Sequence, residues 1–470
     1  MVPFSRHHMT RASLAGWSIA SGFLLLAVLS GRQAVRDDVD PRPNQVLAGS
    51  AAIEPVPSAG LLYGRVTTTD GVVHEGRLRF GGDEEALWSH YFNGRKVVNP
   101  WAESAPSSAL VRTQPREIAG IGFGSVERKI DLERPFMVRL GDIARIDAER
   151  RTLSVTLRSG DVVTLDRFEA DDFADGIRVW HDTGMVDLDE WSIRSVEFVS
   201  PPEDMTGPAP LRGIVRTSSN EFAGLLQWDR EEAFVTDLLE GIGREGEPVS
   251  IRFAGIAAIE RVSATAIRVV PKDGGRVVMT DLAGPMPHRG IYVDDARYGR
   301  VLVSWDAVET VVLGTDGDTA PPPPDFGAFT GGIPLSGTVT TRSGERLAGR
   351  LVYDLDESRT IETLDAPWEG VDYTIPFGLV ASIQPAALYD EPGATGVTLR
   401  SGEVLSLEPE GDLGPQVAGV LIFPAADGEA TAGRSSGGAA DVAGAKFVPW
   451  SEVARVDFER DGAASMSRGG

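Results

Sequence analysis

Cysteine is absent from this 470-residue chain. That excludes disulfides, thiol catalysis, thiolate metal sites and a lipid-modified leader cysteine. Lysine is nearly absent too, 4 residues against 41 arginines, a bias that fits genomic base composition better than selected guanidinium chemistry. Positive charge is short overall. The formal net charge is −24, and loss of Arg6 and Arg11 with a leader would bring it to −26. Such a surface repels phosphate backbones and anionic headgroups, so no nucleic-acid binding is expected, whereas cations or a basic partner are compatible with it. Histidine is scarce: beyond the leader only His74, His90, His181 and His288 remain. None lies in a Gly-x-Ser-x-Gly nucleophile context, and none is spaced against another as a zinc ligand. Gly120-Ile-Gly122-Phe-Gly124 lacks the helix and Lys of a phosphate loop. No catalytic residue, no metal ligand and no cofactor is therefore assigned, and the chain reads as not an enzyme.

The one long hydrophobic run lies near the start. Arg6, His7, His8 and Arg11 precede an uncharged stretch from Leu14 to Ser30. A basic start, an apolar run and small residues at its exit describe a signal peptide, and about 17 residues is also the lower limit for a membrane anchor. Residues 1–31 are thus expected to be an N-terminal hydrophobic helix, either cleaved or retained. The remainder would be periplasmic or extracytoplasmic, touching the membrane only through that segment. Residues 32–59 read as a disordered Pro- and Ala-rich tether.

Beyond residue 32 no sustained 3.6-residue period occurs, and internal repetition dominates instead. Leu62-x-Gly64-x-Val66-x-Thr68 recurs as Leu211-x-Gly213-x-Val215-x-Thr217 and as Leu335-x-Gly337-x-Val339-x-Thr341. Each copy runs through a turn (Asp70-Gly71, Ser219-Asn220, Ser343-Gly344) to Gly76, Gly224 or Gly349. Leu78, Leu226 or Leu351 then follows, and after it Phe80, Trp228 or Tyr353. Period-two alternation around a tight turn is a β-hairpin pattern. Shared tails close these units: Leu140-Gly-Asp-Ile143-Ala-Arg-Ile146, Phe253-Ala-Gly-Ile256-Ala-Ala-Ile259 and Phe377-Gly-Leu-Val380-Ala-Ser-Ile383. A short 3₁₀ turn before a last strand would suit them.

A related unit follows each of these. Val155-Thr-Leu-Arg-Ser-Gly160 reappears unchanged as Val397-Thr-Leu-Arg-Ser-Gly402, and Ile267 to Gly274 is the looser middle copy. These units end near Trp191, Trp305 and Trp450. Aligned on the following Ile or Val, Trp191 is offset by one position. An offset of one moves a side chain to the other side of a strand, so the three Trp are not expected to be equivalent.

The organisation expected is three repeat pairs, 60–200, 211–314 and 335–460. Linkers at 201–210 and 315–334 separate them, 425–444 is a disordered insertion, and 461–470 is a disordered tail.

The units resemble the small SH3-like and Sm-like barrels. Gly349-Arg-Leu351-Val-Tyr353-Asp354 and Gly224-Leu-Leu226-Gln-Trp228-Asp229 carry the likeness, with the aromatic and Asp one residue earlier than in the Sm-like motif. The resemblance implies an all-β fold of six five-stranded barrels in three pairs. Its RNA-binding residues do not carry over. Where that family has an Asn after the Asp, this chain has Asp83-Glu-Glu85, Asp229-Arg-Glu-Glu232 and Asp354-Leu-Asp-Glu357.

Those acidic turns read as solvated hairpin turns; Ca²⁺ is the cation they would take, but they lack the alternating Asp rhythm of a dedicated loop. Most Trp residues recur at repeat positions and read as core. Trp88, Trp101 and Trp368 fall outside the repeat and are the candidates for ligand contact, since aromatic faces suit sugar faces. The function expected is a non-enzymatic scaffold or protein-binding module of a bacterial-type cell envelope, partnered by a protein or other envelope component. A glycan-binding or enzyme-accessory protein and a six-bladed β-propeller are the alternatives.

Overall fold

The repeated glycines mark places where two strands come too close for a side chain. A Cβ on Gly76, Gly224 or Gly349 would meet the carbonyl oxygen of Trp180, Asp294 or Phe423 at 1.9, 2.0 and 2.1 Å. One on Gly64, Gly213 or Gly337 would meet Glu197, Val312 or Asp457 at 2.4, 2.3 and 2.0 Å. Glycine in a strand marks such close backbone approach. The second unit of each pair supplies all six facing carbonyls, so the repeat motif records contact between units.

The computed structural model describes residues 45–46, 56–57 and 60–460. Within that span 82–83, 119–120, 130–134, 182, 281–287, 315–321, 387–392 and 425–443 are excepted, and 45–46, 56–57, 108 and 111–129 are described by backbone alone. The leader, most of the tether, most of the 425–444 insertion and the 461–470 tail lie outside the described residues. No described helix is long and apolar enough to cross a membrane.

The architecture is all-β, built of antiparallel sheets, none of which closes on itself. The second module shows the plan most fully. Its ten strands are Arg212–Arg216, Glu221–Trp228, Leu238–Ile242, Pro248–Arg252, Ile256–Arg261, Ala266–Pro271, Val277–Thr280, Ile291–Asp295, Gly299–Val303 and Thr310–Leu313. Across the sheet they run fourth, third, seventh, sixth, fifth, tenth, first, second, eighth, ninth. Exchanging the first five with the last five reverses this order and otherwise leaves it unchanged, so the module has an internal twofold pattern. The opening hairpin of each unit is flanked on both sides by strands of the other. Expected as two separate barrels, the paired units are instead interleaved.

The first and third modules share the eight-strand order seventh, sixth, fifth, tenth, first, second, eighth, ninth. Their third and fourth strands go elsewhere. In the first module Tyr91–Arg95 pairs with Pro135–Arg139, and a Lys96–Leu165 bridge ties this hairpin to the main sheet. A further hairpin, Val111–Ile118 with Ile121–Lys129, is inserted between these two strands. In the third module Val371–Pro376 pairs with Gly299–Val303 of the second, Val301 opposite Tyr373. One thirteen-stranded sheet therefore crosses from the second module to the third despite the Pro-rich 315–334 segment. Sheets of thirteen and eight strands also differ from propeller blades, which have four strands each.

Burial follows the alternation. Leu153, Val155 and Leu157 point inward from Thr152–Leu157, while Ser154 and Thr156 stay half-buried. The 3₁₀ turns Leu140–Asp142, Phe253–Gly255 and Phe377–Leu379 sit immediately before each fifth strand, where the shared tails place them. One core serves the first module and a second spans the other two. A small apolar seam of Leu61, Ala86, Trp88, Leu225, Ala233 and Phe234 joins the first module to the second.

Candidate binding groove between the first and second modules

Each opening hairpin ends in the same turn. Phe80 bridges Glu84, Trp228 bridges Glu232 and Tyr353 bridges Glu357. The turns pass through left-handed backbone: Gly81 at φ 61°, Asp229 and Arg230 at 48° and 67°, Asp354 and Leu355 at 46° and 61°. Non-glycine residues pay roughly 1–2 kcal/mol each for that region, and Asp tolerates it best because its side chain can hydrogen-bond nearby. Here the Asp229 carboxylate accepts from the Arg289 backbone N–H, and the Asp354 carboxylate accepts from that of Ala418.

The third-module turn is not the solvated one the sequence suggests, while Arg230 and Glu231 of the second remain exposed. Asp354 and Asp356 are only 7% and 5% exposed. Asp356 and Glu362 take Lys96 of the first module at 2.7 and 3.5 Å, and this pairing outweighs burial to hold the ammonium above its ordinary pKa. In the second module His288 Nδ1 lies 3.5 Å from Asp229, and Glu231 pairs with Arg289 at 2.7 Å. Among the described residues no group of three or more His, Asp or Glu is arranged to hold a metal ion.

The second-module turn forms one wall of a groove of about 980 Å³. Glu231, Glu232, Phe234, Asp237, Glu240 and Arg252 line that wall. Arg77, Arg79 and Glu85 face them from the first module, and Gly207 and Pro208 of the intervening segment complete the rim. Arg77 and Arg79 project from Val73–Phe80 because strand alternation sends Leu78 and Phe80 into the core. Glu85 lies 3.1 Å from Arg79 and 3.9 Å from Arg77, whose guanidinium also stacks 4.1 Å from the Trp180 ring. Asp237 accepts the backbone N–H groups of Ala233 and Phe234 at 3.0 and 2.8 Å, fixing the loop between turn and strand.

Burial dominates the electrostatics. It raises Glu85 and Asp237, and it pushes Glu232 up to about 8, with Glu231, Asp229 and Asp237 adding repulsion. Near neutral pH Glu232 is therefore mostly a carboxylic acid, a hydrogen-bond donor as well as an acceptor. The groove thus offers guanidinium donors, carboxylate acceptors and a neutral acid within one cleft.

The three off-pattern Trp residues do not converge. Trp88 is 1% exposed and has no face open to a ligand. Trp101 packs against Phe423 of the third module, with the Arg350 guanidinium 5.0 Å from its ring. Trp368 packs partly buried against the shared core of the second and third modules. Among the repeat Trp residues, Trp305 and Trp450 are buried, against Trp228 and Tyr353 respectively. Trp191, the offset one, is 55% exposed.

The His74 and His181 rings lie 5.3 Å apart, tilted by 51°, while His90 lies 3.4 Å from Glu84 and His288 stacks on Trp305. Comparison with family models, curated proteins and solved structures finds no match to this chain.

The glutamate four residues past each hairpin aromatic was readable from spacing alone, since Glu84, Glu232 and Glu357 hold equivalent places. Lys96 and the Arg139–Asp294–Arg300 cluster that ties the first two modules carry no such signal.

Proposed function

We propose that this chain is a non-enzymatic scaffold of the cell envelope that binds a partner protein, taking an extended polar segment of it in the groove between the first two modules. The groove carries this reading: two modules build it, Glu85 is paired with Arg79, and Asp237 is held by backbone hydrogen bonds. Preorganised groups lose little freedom on binding, so such a cleft suits a peptide that exchanges hydrogen bonds along its length. The apolar run from Leu14 to Ser30 supports placement at or beyond a membrane. The interleaved units and the shared sheet supply the rigidity a scaffold requires.

The test is site-specific photo-crosslinking in the native envelope. A photoreactive residue at Thr236, in the groove, should capture a discrete partner, and Arg252→Glu should abolish that product. The same probe at Glu459, outside the groove, should not capture it. Equal capture at both positions, or a product indifferent to Arg252→Glu, would overturn the groove assignment.

A further inference from the structure

Phe168 and Trp191 are the two exposed aromatic residues among the described side chains, at 56% and 55%, and they touch. Their rings lie 6.1 Å apart at 48°. Phe168 comes from the 3₁₀ turn Arg167–Glu169, and Trp191 from the turn before Ile193–Phe198. Both are fixed from beneath. Arg167, 4% exposed, sets its guanidinium 4.5 Å from the Trp191 ring. Its Nη1 and Nη2 donate to the backbone oxygens of Glu149 and Glu190. Asp166 accepts the Phe168 N–H at 2.8 Å, and Asp189 accepts those of Trp191 and Ser192 at 2.9 and 3.1 Å. Aromatic side chains anchored this well lose little freedom when covered, the property that favours them at interfaces.

The surrounding charge selects the partner. Within two residues of the two rings the chain carries Asp166, Glu169, Asp189 and Glu190 against Arg167, so the patch stays acidic although Glu169 pairs with Arg95 at 3.3 Å. We infer that Phe168 and Trp191 dock a basic segment of a partner protein, whose Arg or Lys side chains stack on the outward ring faces while the carboxylates draw it in. A cation over an aromatic face is worth roughly 0.5–2 kcal/mol, and Trp is the best acceptor. The chain uses this contact internally, Arg77 on Trp180 and Arg350 on Trp101. The inference rests on the scaffold reading but on a surface separate from the groove.

The experiment uses the full chain and fluorescence anisotropy with two labelled twelve-residue peptides, one alternating Arg or Lys with apolar residues, the other carrying Glu in place of the basic residues. The basic peptide should bind, weaken with added salt, and lose at least tenfold in affinity with Trp191→Ala or Phe168→Ala. Both positions are exposed, so thermal unfolding should stay as in the parent, and Val404→Ala, exposed and outside both surfaces, should leave the affinity unchanged. Equal binding of the acidic peptide, or unchanged affinity in Trp191→Ala, overturns the inference. So does self-association, or binding to neutral lipid vesicles, that Trp191→Ala abolishes, because the occupant is then a second copy or a membrane. If no basic peptide binds while the Thr236 crosslink persists, this surface fails and the scaffold reading stands; the reverse result removes the groove alone.

Discussion

Lys96 of the first module and Asp356 of the third meet as a buried ion pair, Nζ to Oδ1 2.7 Å, with 10% and 6% of their side chains exposed. Asn99 extends the contact by donating to the Leu355 carbonyl at 2.8 Å, and Arg359 reaches back to Asp161. These contacts make the acidic turn of the third module a latch on the first.

Lys96→Met should therefore destabilise the chain by about 3–5 kcal/mol, because Asp356 and Glu362 remain buried without their cation. Adding Asp356→Asn should recover part of the loss. Urea unfolding of the single and double variants measures the coupling, and a Lys96→Met chain within about 0.5 kcal/mol of the parent would remove the latch.

Glu232 makes stability depend on pH. Burial raises it to about 8 from an ordinary value of 4.5, so between those values the folded chain keeps a proton that the unfolded chain releases. Its contribution is complete below pH 4.5 and is lost as pH rises through 8, an effect on the order of a few kcal/mol. Burial pulls His90 and His288 down to about 3, and their opposite influence is confined below about pH 6.5. Urea midpoints should consequently fall between pH 6.5 and 8 in the parent and fall less in Glu232→Gln, which stays neutral throughout. An identical decline in both chains would exclude Glu232 as the source.

Gly224→Ala tests the seam between the units. Its Cβ would lie 2.0 Å from the Asp294 carbonyl, forcing apart Glu221–Trp228 and Ile291–Asp295. Gly274, at φ 94° with open space around it, makes the control. Alanine there should cost only about 1 kcal/mol of backbone strain, while at Gly224 the loss should exceed that by about 2 kcal/mol or more. Calorimetry of the two variants ranks them, and equal losses would mean that the seam yields easily.

Parts of this fold were legible from spacing. The Leu-x-Gly-x-Val-x-Thr copies mark the opening strand of each module, and the shared tails mark the 3₁₀ turns at Leu140, Phe253 and Phe377. The one-residue offset of Trp191 anticipated its separation from buried Trp305 and Trp450. The exchange of strands between units was not legible. A hairpin such as Arg212–Arg216 with Glu221–Trp228 is specified by its own turn, but its outer neighbours lie some 70 to 100 residues away and leave no periodic trace. The groove was hidden for the same reason, since its walls come from segments about 150 residues apart.

The sequence by itself determined the β character, the threefold repetition, the acidic surface and the absence of thiol chemistry, because alternation, turns and composition are local properties of the chain. Tertiary structure alone decided which strands adjoin, which carboxylates lose their water and which aromatics stay exposed. Burial is a property of neighbours. Lys96 and Asp356, like Arg77 and Glu232, become neighbours only after the interleaved sheets have brought distant turns together.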